Sequence, residues 1–205
     1  MPHEEALAAT LAATVAAGIP AIQVSAPQGK LLELLARSIG ARTVLEFGTL
    51  AGYSTIWLGR ALPADGLLVT LERNPGHAEV ARANIARAGL GGIVDLRVGP
   101  AFESLAQMSE EGAGPFDLTF IDADKVNTPG YFEWALERSR TGSLIVADNS
   151  IRGGGLVNES SRDPAASELR RFHEMLAAER RVSATTIQTV GGKGYDGFTL
   201  VLVER

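Results

Sequence analysis

The sequence predicts an α/β fold in which parallel strands alternate with helices. Short apolar runs recur from residue 43 onward, and helical patterns separate them. Parallel neighbours need long crossover connections, so this alternation predicts a mostly parallel sheet. The five strands predicted in this part of the chain are Thr43 to Phe47, Leu67 to Leu71, Val94 to Val98, Leu118 to Ile121 and Ser143 to Val146.

The C-terminal pattern predicts an antiparallel hairpin. The runs Val182 to Val190 and Gly197 to Val203 are joined by a stretch that contains Gly191, Gly192 and Gly194. This link is too short for a crossover helix, so the last two strands must run antiparallel.

Capping signals define the helix after the second strand. Asn74 is the predicted N-cap, Pro75 the first helical residue, and Gly89 the end. Further helices are predicted over residues 128–137 and 165–178.

We expect one domain over residues 1–205. Helical patterns near residues 1–18 and 29–39 precede the first strand, so residues 1–40 form a predicted helical cap on a core of residues 41–205.

Composition excludes several classes of protein. The chain has 205 residues, 45% of them hydrophobic, and a net charge of -5, which gives no basic excess for nucleic acid. It has no cysteine, so any metal must be bound by oxygen or histidine. Glu4 and Glu5 stand where a secretory signal needs positive charge, and no apolar run approaches a membrane span. We therefore expect a cytoplasmic protein that binds neither nucleic acid nor membrane.

A glycine-containing loop follows the first strand. Phe47 runs into Gly48-Thr49-Leu50-Ala51-Gly52, and a helix is predicted to begin near Ser54. Glycine lets a ligand approach the backbone, and a helix N-terminus attracts carboxylate or phosphate groups. The loop indicates a nucleotide-cofactor site, although a tight strand-to-helix turn explains the same GxxxG spacing.

Acidic residues mark the strand ends. Glu72 lies at the distance from Gly48 at which a carboxylate accepts both ribose hydroxyls, although a solvated carboxylate is the alternative. Glu46 would need a donor or cationic partner, such as a ligand ammonium group. Asp122 follows the fourth strand, and ligands of open α/β sheets bind outside the carboxyl ends of strands.

Together these residues resemble the class I S-adenosylmethionine-dependent methyltransferases, specifically the cation-dependent O-methyltransferases that include catechol and caffeoyl-coenzyme A O-methyltransferases. The resemblance covers nearly the whole chain and implies a Rossmann-like, seven-stranded sheet with a C-terminal antiparallel hairpin. Ala123 places the chain nearer to the bacterial and plant branch. The motifs that carry the resemblance are Glu46 to Ser54, Leu71-Glu72, Phe120 to Lys125, Val146 to Asn149 and Asp196-Gly197-Phe198.

The resemblance also implies the cofactor contacts. Glu46 would hold the methionine ammonium group of S-adenosylmethionine, and Glu72 would hold the ribose. The other expected contacts are Gly48, Thr49 and Ser54 at the carboxylate end, Ala101 near the adenine, Asp124 near the charged methionine part, and Val24 and Asp122.

Asp122, Asp148 and Asn149 supply three oxygen donors, a set suited to Mg²⁺ with Mn²⁺ or Ca²⁺ as substitutes. Mg²⁺ takes about six oxygens, which leaves room for the two hydroxyls of a catechol-type substrate. Lys125 is the expected base for the hydroxyl proton, and Lys125 and Asp122 are the expected catalytic residues.

Structural alternatives stay open at this stage. Asp122 and Asp124 could cap the helix at 128–137, Asp148-Asn149 could be a turn, and Lys125 could be a solvated lysine. The histidines His3, His77 and His173 form no cluster in the sequence, so we assign them no function.

Rival functions are another S-adenosylmethionine-dependent methyltransferase, a non-catalytic methyltransferase-like binding module, and an NAD(P)-dependent oxidoreductase. The missing third glycine of GxGxxG and the final hairpin disfavour the oxidoreductase. The methyl acceptor stays open, and the loop at residues 152–161 is expected to help select it. A homodimer is expected from the resemblance and the apolar N-terminal helices.

Overall fold

The structure is a computed structural model that describes residues 3–157, 162–191 and 194–205. By their internal contacts the residues fall into two compact units, 1–113 and 114–205. The single domain and the division into cap and core stay predictions.

The first unit contains five helices and three parallel strands. The strand order is β3-β2-β1. The strands pair in register, with Phe47 beside Leu71 and Glu72 beside Val98, so their carboxyl ends lie along one edge. The elements are α1 (His3–Ala16), α2 (Ala26–Ser38), β1 (Thr43–Phe47), α3 (Tyr53–Gly59), β2 (Leu67–Glu72), α4 (Pro75–Arg87), β3 (Val94–Val98) and α5 (Ala101–Glu110).

Local signals account for these elements. Val44, Leu45 and Phe47 of β1 are fully buried, as expected for a parallel strand that is covered on both faces. The Asn74 side chain accepts hydrogen bonds from the backbone N–H groups of Gly76 and His77, which confirms the predicted start of α4.

The second unit contains four strands in the order β4-β5-β7-β6. β4 and β5 are parallel, and β7 is antiparallel to both β5 and β6. The elements are β4 (Phe116–Ile121), a short 3₁₀ helix (Lys125–Asn127), α6 (Thr128–Glu137), β5 (Ser139–Asp148), a second 3₁₀ segment (Arg152–Val157), α7 (Pro164–Ala178), β6 (Val182–Gly191) and β7 (Gly194–Val203).

The predicted fold class is confirmed: an α/β, Rossmann-like fold with seven strands, mostly parallel, and a C-terminal antiparallel hairpin. β2, β4 and β6 are one or two residues longer than predicted, and β5 and β7 are longer by three or more. β5 begins at Ser139 because polar residues also pair with β4, across a register shift between Phe116 and Leu118. β7 begins at Gly194 because the ladder with β6 continues to the turn. Gly192 of the predicted turn and residues 158–161 of the predicted acceptor loop lie outside the described residues.

Within the part of the chain that the structure describes, every helix is too short or too polar to cross a bilayer.

Candidate functional site

The loop between β1 and α3 contains three residues with left-handed backbone. Gly48 has φ 93°, Leu50 φ 51° and Gly52 φ 86°. Leucine rarely adopts this conformation, because its Cβ crowds the backbone. The backbone N–H of Leu50 donates to Glu72 Oε2 at 2.8 Å, and this bond holds the strained residue in place. Non-glycine residues persist in such conformations where the surrounding structure fixes them, often at functional sites.

Glu72 is buried at the end of β2 and anchors the loop through both carboxylate oxygens. Its second oxygen, Oε1, accepts from the backbone N–H of Asn74 at 2.8 Å. Each carboxylate oxygen has a further lone pair, so the group can still accept two hydroxyl donors. A carboxylate oriented in this way suits the two hydroxyls of a ribose. The sequence predicted the ribose role of Glu72 but not its contact with Leu50.

Glu46 lies inside β1 with its carboxylate fully buried. Its Oε2 accepts from the hydroxyls of Thr55 at 2.5 Å and Thr70 at 2.7 Å. The Thr70 hydroxyl also lies 2.6 Å from that of Thr49. Sequence reasoning missed these threonine partners. The sequence signal that could have identified Thr70 is a polar residue inside the otherwise apolar run Leu67 to Leu71. The structure shows that Thr70 pairs in register with Glu46.

The other predicted cofactor residues of the first unit lie near its strand ends or ahead of α2. Ser54 is buried in the first turn of α3. Ala101 is the first residue of α5, which follows β3. Val24 is buried just before α2. Their contacts with a cofactor stay predictions.

Asp122 and Asp148 directly follow a register pair of parallel strands. Ile121 of β4 pairs with Ala147 of β5, so the two aspartates occupy adjacent positions at the carboxyl ends. Lys125 Nζ donates to Asp122 Oδ1 at 2.9 Å, and the Lys125 side chain is only 8% exposed. Lys125 is therefore a buried, paired residue and not a solvated lysine.

Asn149 follows Asp148 with a left-handed backbone, φ 54°. Asparagine tolerates this conformation better than most residues. In the described ranges no three side chains of His, Cys, Asp or Glu cluster as a metal site, so the predicted site needs the Asn149 amide oxygen as its third donor. Two carboxylates and an amide at one sheet edge fit a hard cation such as Mg²⁺.

Asp124 has a structural role that the sequence did not predict. Its carboxylate accepts from the Tyr131 hydroxyl at 2.7 Å and from the Asn127 side-chain amide, which links the 3₁₀ helix to α6. At the N-cap positions of both helices, Asp124 and Asn127, no side chain caps a backbone N–H, so the helix-cap explanation of Asp124 is not observed. Its contact with the cofactor stays a prediction.

Asp196 fixes the start of the segment after β5. Its Oδ1 accepts from the backbone N–H groups of Ile151 at 3.1 Å, Arg152 at 2.8 Å and Gly197 at 2.9 Å. Sequence reasoning assigned no role to this residue, although the motif Asp196-Gly197-Phe198 contributed to the resemblance. The structure thus gives that motif a physical function.

The structure is thus an α/β protein with the buried carboxylate of Glu72 at a strand end of its first unit, and with Asp122, Asp148 and Asn149 at neighbouring strand ends of its second. A family model described as O-methyltransferase matches residues 2–203. A catechol O-methyltransferase of Niastella koreensis is 54% identical over 202 residues, which cover 98% of this chain and 91% of that protein. The chain therefore belongs to the O-methyltransferase family, and the predicted enzyme class, an S-adenosylmethionine-dependent O-methyltransferase, is confirmed.

Solved structures agree with this assignment. An O-methyltransferase from Bacillus cereus, in complex with SAH, is 52% identical with a TM-score of 0.96, and the match covers 98% of this chain and 91% of that one. The O-methyltransferase TomG from Streptomyces achromogenes, involved in tomaymycin synthesis and in complex with SAM, is 50% identical with a TM-score of 0.94, covering 98% and 90%.

We predict that Thr70→Val lowers the free energy of unfolding by about 1–3 kcal/mol, because the buried Glu46 carboxylate loses a donor. Urea denaturation followed by circular dichroism measures the change. Thr141→Val, the same substitution at an exposed position of β5, is the control and should shift stability by less than about 0.5 kcal/mol. Equal stability of the two variants would contradict the role of Thr70.

Proposed function

We propose that this chain transfers a methyl group from S-adenosylmethionine to a hydroxyl of a catechol-type aromatic substrate, with a divalent cation bound by its own residues. The observation that supports this proposal most is the ion pair between the buried Lys125 and the half-buried Asp122, whose nitrogen–oxygen distance is 2.9 Å, next in register to Asp148. A buried lysine beside oxygen donors at a sheet edge suits a hydroxyl substrate whose proton must be removed.

The first unit would bind the cofactor. Glu72 would accept the ribose hydroxyls with its remaining lone pairs, and Glu46 would receive the ammonium group of the methionine part. Relatives crystallised with SAH and SAM support this ligand class. The other proposed cofactor contacts are Val24, Gly48, Thr49, Ser54, Ala101, Asp122 and Asp124.

Asp122, Asp148 and Asn149 would hold the cation, with Mg²⁺ the proposed ion and Mn²⁺ or Ca²⁺ as substitutes. When bound, such an ion stabilises a deprotonated substrate hydroxyl and fixes its orientation. The catechol O-methyltransferase relative from Niastella koreensis supports a vicinal diol as the acceptor.

The residues of the chain supply the proton transfer. Lys125 would act as the neutral amine: its Nζ takes the proton of the reacting hydroxyl and becomes an ammonium group, while its hydrogen bond to Asp122 fixes its position. The substrate oxygen then forms a bond to the methyl carbon, and the carbon–sulfur bond breaks with its electron pair passing to sulfur. Because charge is lost in this step, alignment of the reactants and exclusion of water would contribute much of the acceleration.

Three further expectations belong to this proposal: one domain over residues 1–205, a cytoplasmic location and a homodimer. The other methyltransferase classes, the non-catalytic module and the oxidoreductase are not favoured by any observation on these residues.

We predict that methyl transfer from labelled S-adenosylmethionine to caffeate requires added Mg²⁺ and stops in chelator. Asp148→Ala should abolish transfer while calorimetry shows unchanged cofactor affinity, because the residue would bind the cation. Asp65→Ala, which removes an exposed carboxylate, is the control and should stay active. Full activity in chelator would exclude the metal role.

We predict that Lys125→Met lowers kcat by about 10²–10⁴-fold, since the proton acceptor is removed. Cofactor affinity should stay within about threefold of the wild type, because Lys125 is proposed to contact the substrate hydroxyl and not the cofactor. A threefold change in affinity corresponds to less than ~1 kcal/mol. Lys30→Met is a matched control, because Lys30 pairs with Glu33 three residues away at 2.8 Å on α2. A Lys125→Met variant with wild-type kcat would refute the base assignment.

We predict that Glu72→Gln weakens S-adenosylmethionine binding by at least about tenfold, or ~1.4 kcal/mol. The backbone N–H groups of Leu50 and Asn74 bond to different carboxylate oxygens, and glutamine replaces one of these oxygens with an NH₂ group that can only donate, so the loop and the ribose contact are both disturbed. Isothermal titration calorimetry measures the effect, with the exposed Glu79→Gln as control. Unchanged affinity would show that Glu72 does not contact the cofactor.

A further inference from the structure

We propose that a hydrogen-bond network of buried hydroxyl groups positions the loop that carries Asp148 and Asn149. The Ser150–Thr199 network, as we call it, consists of the Ser150 and Thr199 hydroxyls and is extended by Thr186 and His173. The inference rests on the proposed function, in which those two residues hold the cation. The members of the Ser150–Thr199 network are positioning residues, because none of them is proposed to touch the cation or the substrate.

Ser150 makes three hydrogen bonds at the centre of the Ser150–Thr199 network. Its hydroxyl donates to the Ala147 carbonyl at 2.9 Å and accepts from the Thr199 hydroxyl at 2.9 Å. Its backbone N–H donates to the Gly197 carbonyl at 2.9 Å. Ser150 and Thr199 are buried, with 0% and 1% exposure. Their positions are therefore set by these bonds and not by contacts with solvent.

Asn149 lies between two links to β7. Asp148 pairs with Phe198 in the ladder, and the next link is the bond from Ser150 to Gly197. Asn149 itself has a left-handed backbone, so the extended conformation of β5 ends at Asp148 while the chain stays linked to β7 through Ser150. Bulge-like interruptions of this kind redirect side chains beside active sites. The anchoring of Ser150 is what keeps Asn149 in its unfavourable conformation.

The Ser150–Thr199 network continues to α7. Thr186 pairs in register with Thr199, and their hydroxyl oxygens are 2.8 Å apart. His173 Nε2 lies 3.1 Å from the Thr186 hydroxyl, while its Nδ1 lies 2.8 Å from the Leu169 carbonyl. A carbonyl can only accept, so Nδ1 carries a proton. His173 thus joins helix, hairpin and loop in one polar network.

The hydroxyls are not needed to fill space. Valine has nearly the shape of threonine, and the neighbouring Val201 and Ile145 show that apolar residues fill this core. The Thr199 hydroxyl fixes the orientation of the Ser150 side chain, because it donates to the Ser150 oxygen and leaves the Ser150 hydroxyl proton to bond to the Ala147 carbonyl. Partners of this outer kind orient metal ligands, and their loss costs about 10–100-fold in metal affinity.

The test is direct titration with Mn²⁺, followed by electron paramagnetic resonance without substrate. Ser150→Ala and Thr199→Val should each raise the Kd for Mn²⁺ by about tenfold. Their calorimetric affinity for S-adenosylmethionine should equal that of the wild type. Thr199→Ser keeps the hydroxyl and should restore Mn²⁺ affinity. Thr185→Val, at an exposed position of β6, is the matched control.

The outcomes separate this inference from the proposed function. If the wild type binds Mn²⁺ and both Ser150→Ala and Thr199→Val bind it equally well, the inference is wrong and the metal proposal stands. If the wild type shows no saturable binding, or Asp148→Ala binds as well as the wild type, both are overturned. If Ser150→Ala and Thr199→Val both unfold, the half-buried Thr186→Val is the deciding variant. A rise of about threefold in its Kd for Mn²⁺ supports the positioning role of the network, and no change overturns it.

Discussion

Carboxylates that are wholly or partly removed from water must find hydrogen-bond donors, and this constraint organises both units of the chain. Glu46 is bonded by threonine hydroxyls, and Glu72 by two backbone N–H groups. In the second unit, the half-buried Asp122 is bonded by Lys125, and the half-buried Asp196 by three backbone N–H groups. A buried carboxylate without donors would cost several kcal/mol, so each of these residues fixes the backbone or side chains around it. The loops at the strand ends take their shape from these bonds.

The insertion of β7 beside β5 has a similar organising effect. It brings Gly197 next to the loop after Asp148, where the Gly197 carbonyl accepts from Ser150. A Cβ at Gly197 would lie 2.4 Å from the Ile187 carbonyl oxygen, so the close approach of these backbones needs glycine. The C-terminal hairpin therefore shapes a loop that lies about fifty residues earlier in the chain.

Much of the fold was predictable because its signals are local. The bounds of β1 and β3 match the predicted Thr43 to Phe47 and Val94 to Val98, and the cap at Asn74 was read from its neighbours. The first half of β5 was missed, since its polar residues become strand only through pairing with β4. Apolar periodicity cannot report such pairing.

The candidate site shows the same division. Strand ends and motif spacing identified Glu46, Glu72, Asp122 and Asp148, but not the groups that bond to them. The contact of Glu46 with Thr70 depends on strand register, and that of Asp196 with Ile151 spans 45 residues. Residue types are visible in a sequence, whereas partners across a sheet follow from its assembled topology.

The Asp196 anchor has a consequence for how the enzyme can diversify. Its bonds end at Arg152, and the Arg152–Val157 segment beyond contains two left-handed glycines, Gly153 and Gly154. Mutations downstream of the anchor can therefore accumulate while Asn149 keeps its geometry. If that segment recognises the methyl acceptor, selectivity can drift in evolution, or be engineered, independently of the reaction chemistry.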